Sequence, residues 1–111
     1  MATLSSHLLN SVNGTHAGGV KVIIYQINSS GSKTIFFETE TDDGGRIIKD
    51  FELSSDDCAC EYEMVCKTAD YFSEKKVVSE IIIKFKMEDP KKKYHLPIII
   101  SPNGYSIWWS N

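Results

Sequence analysis

The sequence predicts an all-β fold, a sandwich or barrel of short strands. Three observations carry that prediction. Eight stretches are rich in β-branched and aromatic residues, and turn signals built from Gly, Pro, Asn, Asp and Ser separate most of them. Only the stretch 68–75 carries the start signals of a helix.

Thr3–Asn10 reads as the first strand. Val20–Ile27 is the next, ended by the turn Asn28-Ser29-Ser30-Gly31-Ser32. Lys33–Thr41 alternates around Ile35, Phe36 and Phe37 and stops at Asp42-Asp43-Gly44-Gly45, after which Arg46–Phe51 forms a strand. Ala59–Lys67 has period two: Cys60, Tyr62, Met64 and Cys66 face inward, and Glu61, Glu63 and Lys67 face outward. Thr68–Lys75 is the predicted helix, with Thr68 as N-cap and Asp70 in the first turn. Ser79–Met87 follows and ends at Glu88-Asp89-Pro90. Lys92–Ser101 and Gly104–Ser110 are the last strands, joined by Ser101-Pro102-Asn103-Gly104. There is no internal repeat, low-complexity tract or linker, so residues 1–111 are read as one domain.

Composition narrows the function classes. With 41% hydrophobic and 24% charged residues the chain resembles an ordinary globular protein. A net charge of −3 argues against nucleic acid or an anionic membrane held by bulk electrostatics. No apolar run approaches the ~20 residues of a membrane-spanning helix, and the first residues lack the pattern of a secretion signal. Three cysteines, Cys58, Cys60 and Cys66, are an odd count suited to a reducing compartment. They lack the paired spacing of a zinc site and are read as packing thiols. Asn13-Gly14-Thr15 and Asn28-Ser29-Ser30 match the glycosylation pattern, which without secretion carries no weight.

Four segments take the reading further. Leu4-Ser5-Ser6-His7-Leu8-Leu9-Asn10 resembles the opening Leu-Ser-Thr-His-Val-Leu-Asp of 5-hydroxyisourate hydrolases. Thr41-Asp42-Asp43-Gly44-Gly45-Arg46 resembles that family's turn ending in Gly-Arg. Tyr94-His95-Leu96-Pro97-Ile98-Ile99-Ile100-Ser101-Pro102 closely resembles Tyr-His-Val-Pro-Leu-Leu-Leu-Ser-Pro, and Asn103-Gly104-Tyr105-Ser106 continues as the family does. The resemblance implies a transthyretin-like, eight-stranded antiparallel β-sandwich of two four-stranded sheets with one short helix. It also implies a homotetramer, a dimer of dimers, whose inner sheets enclose a central channel with two sites.

The activity implied is hydrolysis of 5-hydroxyisourate to 2-oxo-4-hydroxy-4-carboxy-5-ureidoimidazoline in urate catabolism. Opening the ring at an amide-like carbonyl needs an activated water, oxyanion donors and an acid for the departing nitrogen. Imidazole suits the proton transfers and guanidinium the oxyanion, so His7, Arg46 and His95 are the expected catalytic set, with no cofactor and no metal. Strand alternation gives an internal check. Tyr94, Leu96, Ile98 and Ile100 make an unbroken core face, so His95 points to the opposite side with Lys93, Pro97 and Ile99. His7 shares its face with Ser5 and Leu9. Taken singly, each of the three candidates is an ordinary surface or core residue; taken in matching order, they form a set. His16, in a Gly-rich loop, is assigned no role, and Lys91-Lys92-Lys93 is read as a solvated turn.

The C-terminus departs from the family pattern. Where relatives end Tyr-Ser-Thr-Tyr-Arg-Gly-Ser, this chain ends Tyr105-Ser106-Ile107-Trp108-Trp109-Ser110-Asn111. Asn10 also stands at a usual aspartate. Ser106 and Trp108 are the expected substrate-binding residues, with the indole stacking on a flat heterocycle. Apolar packing at a subunit interface is the other reading of Trp108 and Trp109, and for Trp109 it weighs at least as much as contact with a ligand. The alternative is a catalytically degenerate protein of the same fold that binds a small aromatic ligand or a protein partner. The expected compartment is the cytoplasm. Relatives can be peroxisomal, but Trp109-Ser110-Asn111 is not a Ser-Lys-Leu-like address.

Overall fold

A computed structural model of the chain describes residues 1–73 and 76–109. All eight expected strands are present within these residues, packed as two sheets. The first sheet holds β1 (Ala2–Asn10), β2 (Thr15–His16), β5 (Arg46–Phe51), β8 (Lys93–Ser101) and β9 (Gly104–Ile107). The second holds β3 (Lys21–Ile27), β4 (Lys33–Glu40), β6 (Glu61–Cys66) and β7 (Ile81–Lys86) in the order β4-β3-β6-β7. In the first sheet β1 is central. It runs parallel to β8 along one side, from Thr3 opposite Lys93 to Asn10 opposite Ile100, and antiparallel to β5 and then β2 along the other. The parallel pair is the one departure from an antiparallel arrangement. It arises because β8 joins β1 only after the chain has passed through the second sheet.

Alternation sets the core. Ala2, Leu4, Leu8, Ile98 and Ile100 are fully buried from one sheet, and Val22, Ile24, Tyr62, Met64 and Ile81 from the other. The two polar residues on the inner face of β1 are satisfied there. Ser6 donates to the Leu96 carbonyl (2.6 Å), and Asn10 accepts from the Val12 backbone (2.8 Å) while donating to the Tyr71 hydroxyl (3.2 Å). Asn10 therefore pins the turn after β1 and faces away from the histidines.

Several details differ from the sequence-based expectation. β2, two residues long, is too short to carry a periodic signal, and it makes the first sheet five-stranded rather than four-stranded. A second short helix, α1 (Ser55–Ala59), precedes β6, so Cys58 lies on a helix and Cys60 at its C-cap, half-buried. Its signal is legible in retrospect. Ser54 and Asp57 form a capping box in which the Ser54 hydroxyl accepts from Asp57 N (3.0 Å) and the Asp57 carboxylate accepts from Ser54 N (3.0 Å). The Ser54 backbone, foremost, holds the Asp57 carboxyl below the ordinary range.

The predicted helix is a single turn, α2 (Thr68–Tyr71), and Lys67 rather than Thr68 occupies its N-cap. Thr68 is instead buried, its hydroxyl without a hydrogen-bond partner among the described residues. Glu74 and Lys75, at the end of the predicted helix, lie outside the described residues, as do Ser110 and Asn111. Glu63, expected to face solvent, is buried because β6 is a central strand flanked by Tyr25 of β3 and Lys84 of β7. Its carboxylate meets Lys33 at 3.3 Å. Cys66 is the inward thiol that was expected, and burial pushes its pKa up to about 12. No described helix is long and apolar enough to cross a membrane.

Candidate active site

The alternation that buries one face of β1 and β8 turns Ser5, His7, Leu9, His95, Pro97 and Ile99 to the other. Register then arranges them in rows. His7 lies between Arg46 of β5 and Pro97 of β8, and Ser5 between Ile48 and His95. Leu9 lies between His16 of β2 and Ile99, and Ile99 is in turn opposite Ser106 of β9. The Trp108 backbone donates to the Pro97 carbonyl at 3.4 Å, which continues the β8–β9 register and sets Trp108 beside Pro97. His7, Arg46, His95, Ser106 and Trp108 thus share one sheet face. So does His16, which brings together all three histidines of the chain.

Two side-chain contacts tie the imidazoles down. His95 Nδ1 is 2.8 Å from Ser5 Oγ. His7 Nε2 is 2.9 Å from His16 Nδ1, with the rings stacked at 28° and their centroids 5.0 Å apart. The His7 pKa is lowered from the ordinary histidine value, first by burial, then by the positive charge of Arg46, by His16 and, more weakly, by His95. The Gly44 backbone opposes the shift. His7 is therefore neutral at neutral pH, the form that can accept a proton.

The turn before β5 brings Arg46 and His16 to this place. Asp42 Oδ1 accepts from the backbone of Gly44 (3.0 Å) and of Arg46 (2.9 Å), closing the loop on itself. Gly45, at φ 75°, accepts at its carbonyl from Leu8 N (2.7 Å), and a Cβ there would stand 2.4 Å from the Leu8 carbonyl and 3.3 Å from His16 Cβ. Only glycine allows the turn to lie so close to β1 and β2. Among the described residues no carboxylate pairs with Arg46, whose side chain is exposed.

Among the described residues no group of three or more His, Cys, Asp or Glu could hold a metal ion. Two clefts, of about 320 and 350 Å³, lie beside α1 and the β3–β4 turn around Asn28, Ser29 and Cys60, and neither contains a histidine. In a single chain the histidine face is widely exposed, with Ile48 74%, Trp108 45% and Ile99 37% accessible. Trp109 turns the other way. Its ring packs on Tyr94 at 5.8 Å and lies under the Lys92 ammonium at 5.2 Å, so packing within the chain engages it.

A family model described as "HIUase/Transthyretin family" matches residues 4–109. The chain belongs to this family. Among its relatives, the 5-hydroxyisourate hydrolase of Halalkalibacterium halodurans is 27% identical over 112 residues, spanning 95% of this chain and 94% of the relative. That of Salmonella typhimurium is 32% identical over 108 residues, spanning 95% and 78%. The solved 5-hydroxyisourate hydrolase of Klebsiella pneumoniae superposes with a TM-score of 0.79 at 26% identity, covering all of both chains. Transthyretin from Sparus aurata, at 22% identity and a TM-score of 0.84 over 96% and 95% of the two chains, shares the fold. Family membership agrees with the resemblance read from the sequence motifs. What the motifs did not reveal was Ser5 as partner of His95 and His16 as partner of His7. The Ser5 contact could have been sought from its place two residues before His7, on the same strand face. His16 carried no such signal, because its two-residue strand is defined only by pairing.

Proposed function

We propose that this protein hydrolyses 5-hydroxyisourate to 2-oxo-4-hydroxy-4-carboxy-5-ureidoimidazoline, using no cofactor. The observation that carries the reading is the convergence of His7, His95 and Arg46, which no carboxylate pairs among the described residues, on one exposed face, in a chain whose relatives are hydrolases of that name. Neutral His7, together with His95, moves the protons. With Nδ1 of His95 held by Ser5, exchange with a ligand falls to its Nε2. A water gives up a proton as its oxygen bonds to the ring carbonyl carbon. The Arg46 guanidinium holds the oxyanion as it forms. The C–N bond then breaks, and the proton taken from water goes to the departing ring nitrogen. Ser106 offers a hydroxyl to the substrate edge, and the Trp108 indole offers a flat surface for stacking.

The face is too open in one chain to exclude water, and its exposed Ile48, Ile99 and Trp108 favour cover by another subunit. The assembly proposed is a homotetramer, a dimer of dimers that lines a channel with this face. The proposed compartment is the cytoplasm.

The test is an ultraviolet assay in which urate oxidase generates 5-hydroxyisourate in place. Saturable acceleration of its decay, abolished in His95→Asn, is the expected result. Decay at the spontaneous rate in the presence of the folded protein overturns the hydrolase. Trp108, half-exposed beside the histidines, supports a second reading, a binding protein for a flat heterocycle. Quenching of indole fluorescence by urate without turnover would select it.

A further inference from the structure

Among the described residues, His16 is the titratable group outside the set expected from sequence whose side chain hydrogen-bonds to a side chain of that set. We propose that His16 is a positioning residue for His7, holding its imidazole in one orientation and one tautomer through a shared proton and ring stacking. The inference rests on the hydrolase reading for its kinetic consequence, but its structural content stands apart from it.

The geometry is specific. At 2.9 Å between His7 Nε2 and His16 Nδ1, a single N–H lies between two imidazoles, so one ring donates and the other accepts. The stacked overlap, with centroids 5.0 Å apart, restricts rotation of both rings. His16 is itself fixed by backbone. Asn10 opposite Thr15 and Leu9 opposite His16 pair β2 to β1, and Gly14, at φ 73°, closes the intervening turn with its N–H on the Asn10 carbonyl (2.9 Å). A Cβ at Gly45 would stand 3.3 Å from the His16 Cβ, so the turn before β5 also lies close to it. An exposed histidine held this closely has little freedom to leave its partner.

The pair also shapes the charge of the site. The groups that face His7 are His16 on β2, Arg46 on β5 and His95 on β8, together with the Gly44 backbone; the Asp42 carboxylate of the same turn is engaged by backbone N–H groups. None of the three side chains is anionic, and two imidazoles that share one proton resist a second. Burial, Arg46 and then His16 lower the His7 pKa, so removing His16 lets it rise. Protonated His7 cannot accept a proton, so in a variant without His16 the acid limb of kcat/KM moves to higher pH.

Three substitutions separate the components. His16→Ala removes ring and nitrogen. His16→Phe keeps a stacking ring without the nitrogen. His16→Asn keeps a hydrogen-bonding group near the Nδ1 position without the ring. The readouts are pH profiles of kcat and KM with 5-hydroxyisourate and the ring ¹⁵N shifts of His7, which report its tautomer without any substrate.

In the Ala and Phe variants the expected result is a fall in kcat of about 10-fold, the low end for loss of a group that orients a functional imidazole. KM should change little, the acid limb should move upward, and the His7 ¹⁵N shifts should change from one tautomer to an averaged pair. His16→Asn should restore most of kcat and the single tautomer. A structural role alone predicts a lower Tm with the pH profile and ¹⁵N pattern intact. That outcome, or wild-type behaviour of the Ala and Phe variants in both readouts, overturns the proposal. If wild-type protein shows no turnover, the hydrolase reading fails, and the ¹⁵N pattern alone decides whether His16 fixes His7.

Discussion

The two sheets present outer faces of opposite character. On the second sheet, two pairs of opposite charge meet across the strands. Lys33 meets Glu63 at 3.3 Å, Lys84 meets Glu61 at 3.7 Å, and the Lys33 ammonium also lies 4.7 Å from the Tyr25 ring centroid. On the first sheet, Arg46 has no carboxylate among the described residues, and the imidazoles hydrogen-bond to a hydroxyl and to each other. Both faces are built by the same period-two alternation, and both mix apolar with polar side chains. The difference lies in whether charge is neutralised within the chain. A face that pairs its charges has less left to offer a ligand, whereas one that gathers a guanidinium and imidazoles is ready for an electron-rich heterocycle.

The sharpest way to break this contrast is to remove a group from the histidine face. Arg46→Ala and His95→Asn should each lower kcat/KM by about 100- to 10,000-fold, as measured by decay of 5-hydroxyisourate absorbance. Neither residue belongs to the core, so Tm should fall by only a few degrees. Wild-type kinetics in either variant would remove that residue from the proposed mechanism. The pH profile sharpens the same point. The His7 pKa is lowered, so the active neutral form persists below the ordinary value of about 6.5, and activity declines only as pH falls through the depressed value. An acid limb above pH 6.5 would contradict the environment described for His7.

Gly45→Ala attacks the scaffold rather than the chemistry. A methyl there would meet the Leu8 carbonyl at 2.4 Å at a φ of 75°, so the turn must shift. Strain of this kind costs roughly 1–3 kcal/mol, and the shift should carry both Arg46 and His16 away from His7. Loss of activity together with a lower Tm is expected. Activity without loss would mean that the turn adapts independently of the site. Trp108→Ala should act more gently, raising KM by about 2- to 10-fold if the indole stacks on the ligand, since such contacts contribute around 0.5–1.5 kcal/mol. An unchanged KM would leave Trp108 as interface packing.

How much of this was legible beforehand follows from where each signal lies. The strands and their inward faces could be read from alternation alone. Tyr94, Leu96, Ile98 and Ile100 read as a core face and are buried, which by itself turns His95 outward. The family motifs located Arg46 in the chain but not in space; its place opposite His7 is a matter of β1–β5 register. His16 was illegible because a two-residue strand has no period and its partner lies on another strand. Glu63 departs from the expectation of alternation for a related reason. Alternation says which face a residue occupies, but burial on that face depends on the neighbouring strands, Tyr25 and Lys84 here, and on where the Lys33 side chain lies.

The Lys33–Glu63 pair gives the smallest expected effect, and it tests the contrast from its quiet side. Lys33 is about half-exposed, with 46% of its side chain accessible, while that of Glu63 is at 9%, so their attraction is only partly protected from solvent. Lys33→Ala should therefore lower stability by no more than about 1 kcal/mol, the range of exposed ion pairs. Glu63→Ala should cost more than Lys33→Ala, because it also leaves a gap between Tyr25 and Lys84 on a central strand. A double-mutant cycle by urea denaturation isolates the pair from that packing loss. Throughout the cycle kcat/KM should stay at the wild-type value, since neither residue faces the histidines. If Lys33→Ala changed turnover as strongly as Trp108→Ala, the second sheet's face would share in function, and internal charge pairing would cease to distinguish the two faces.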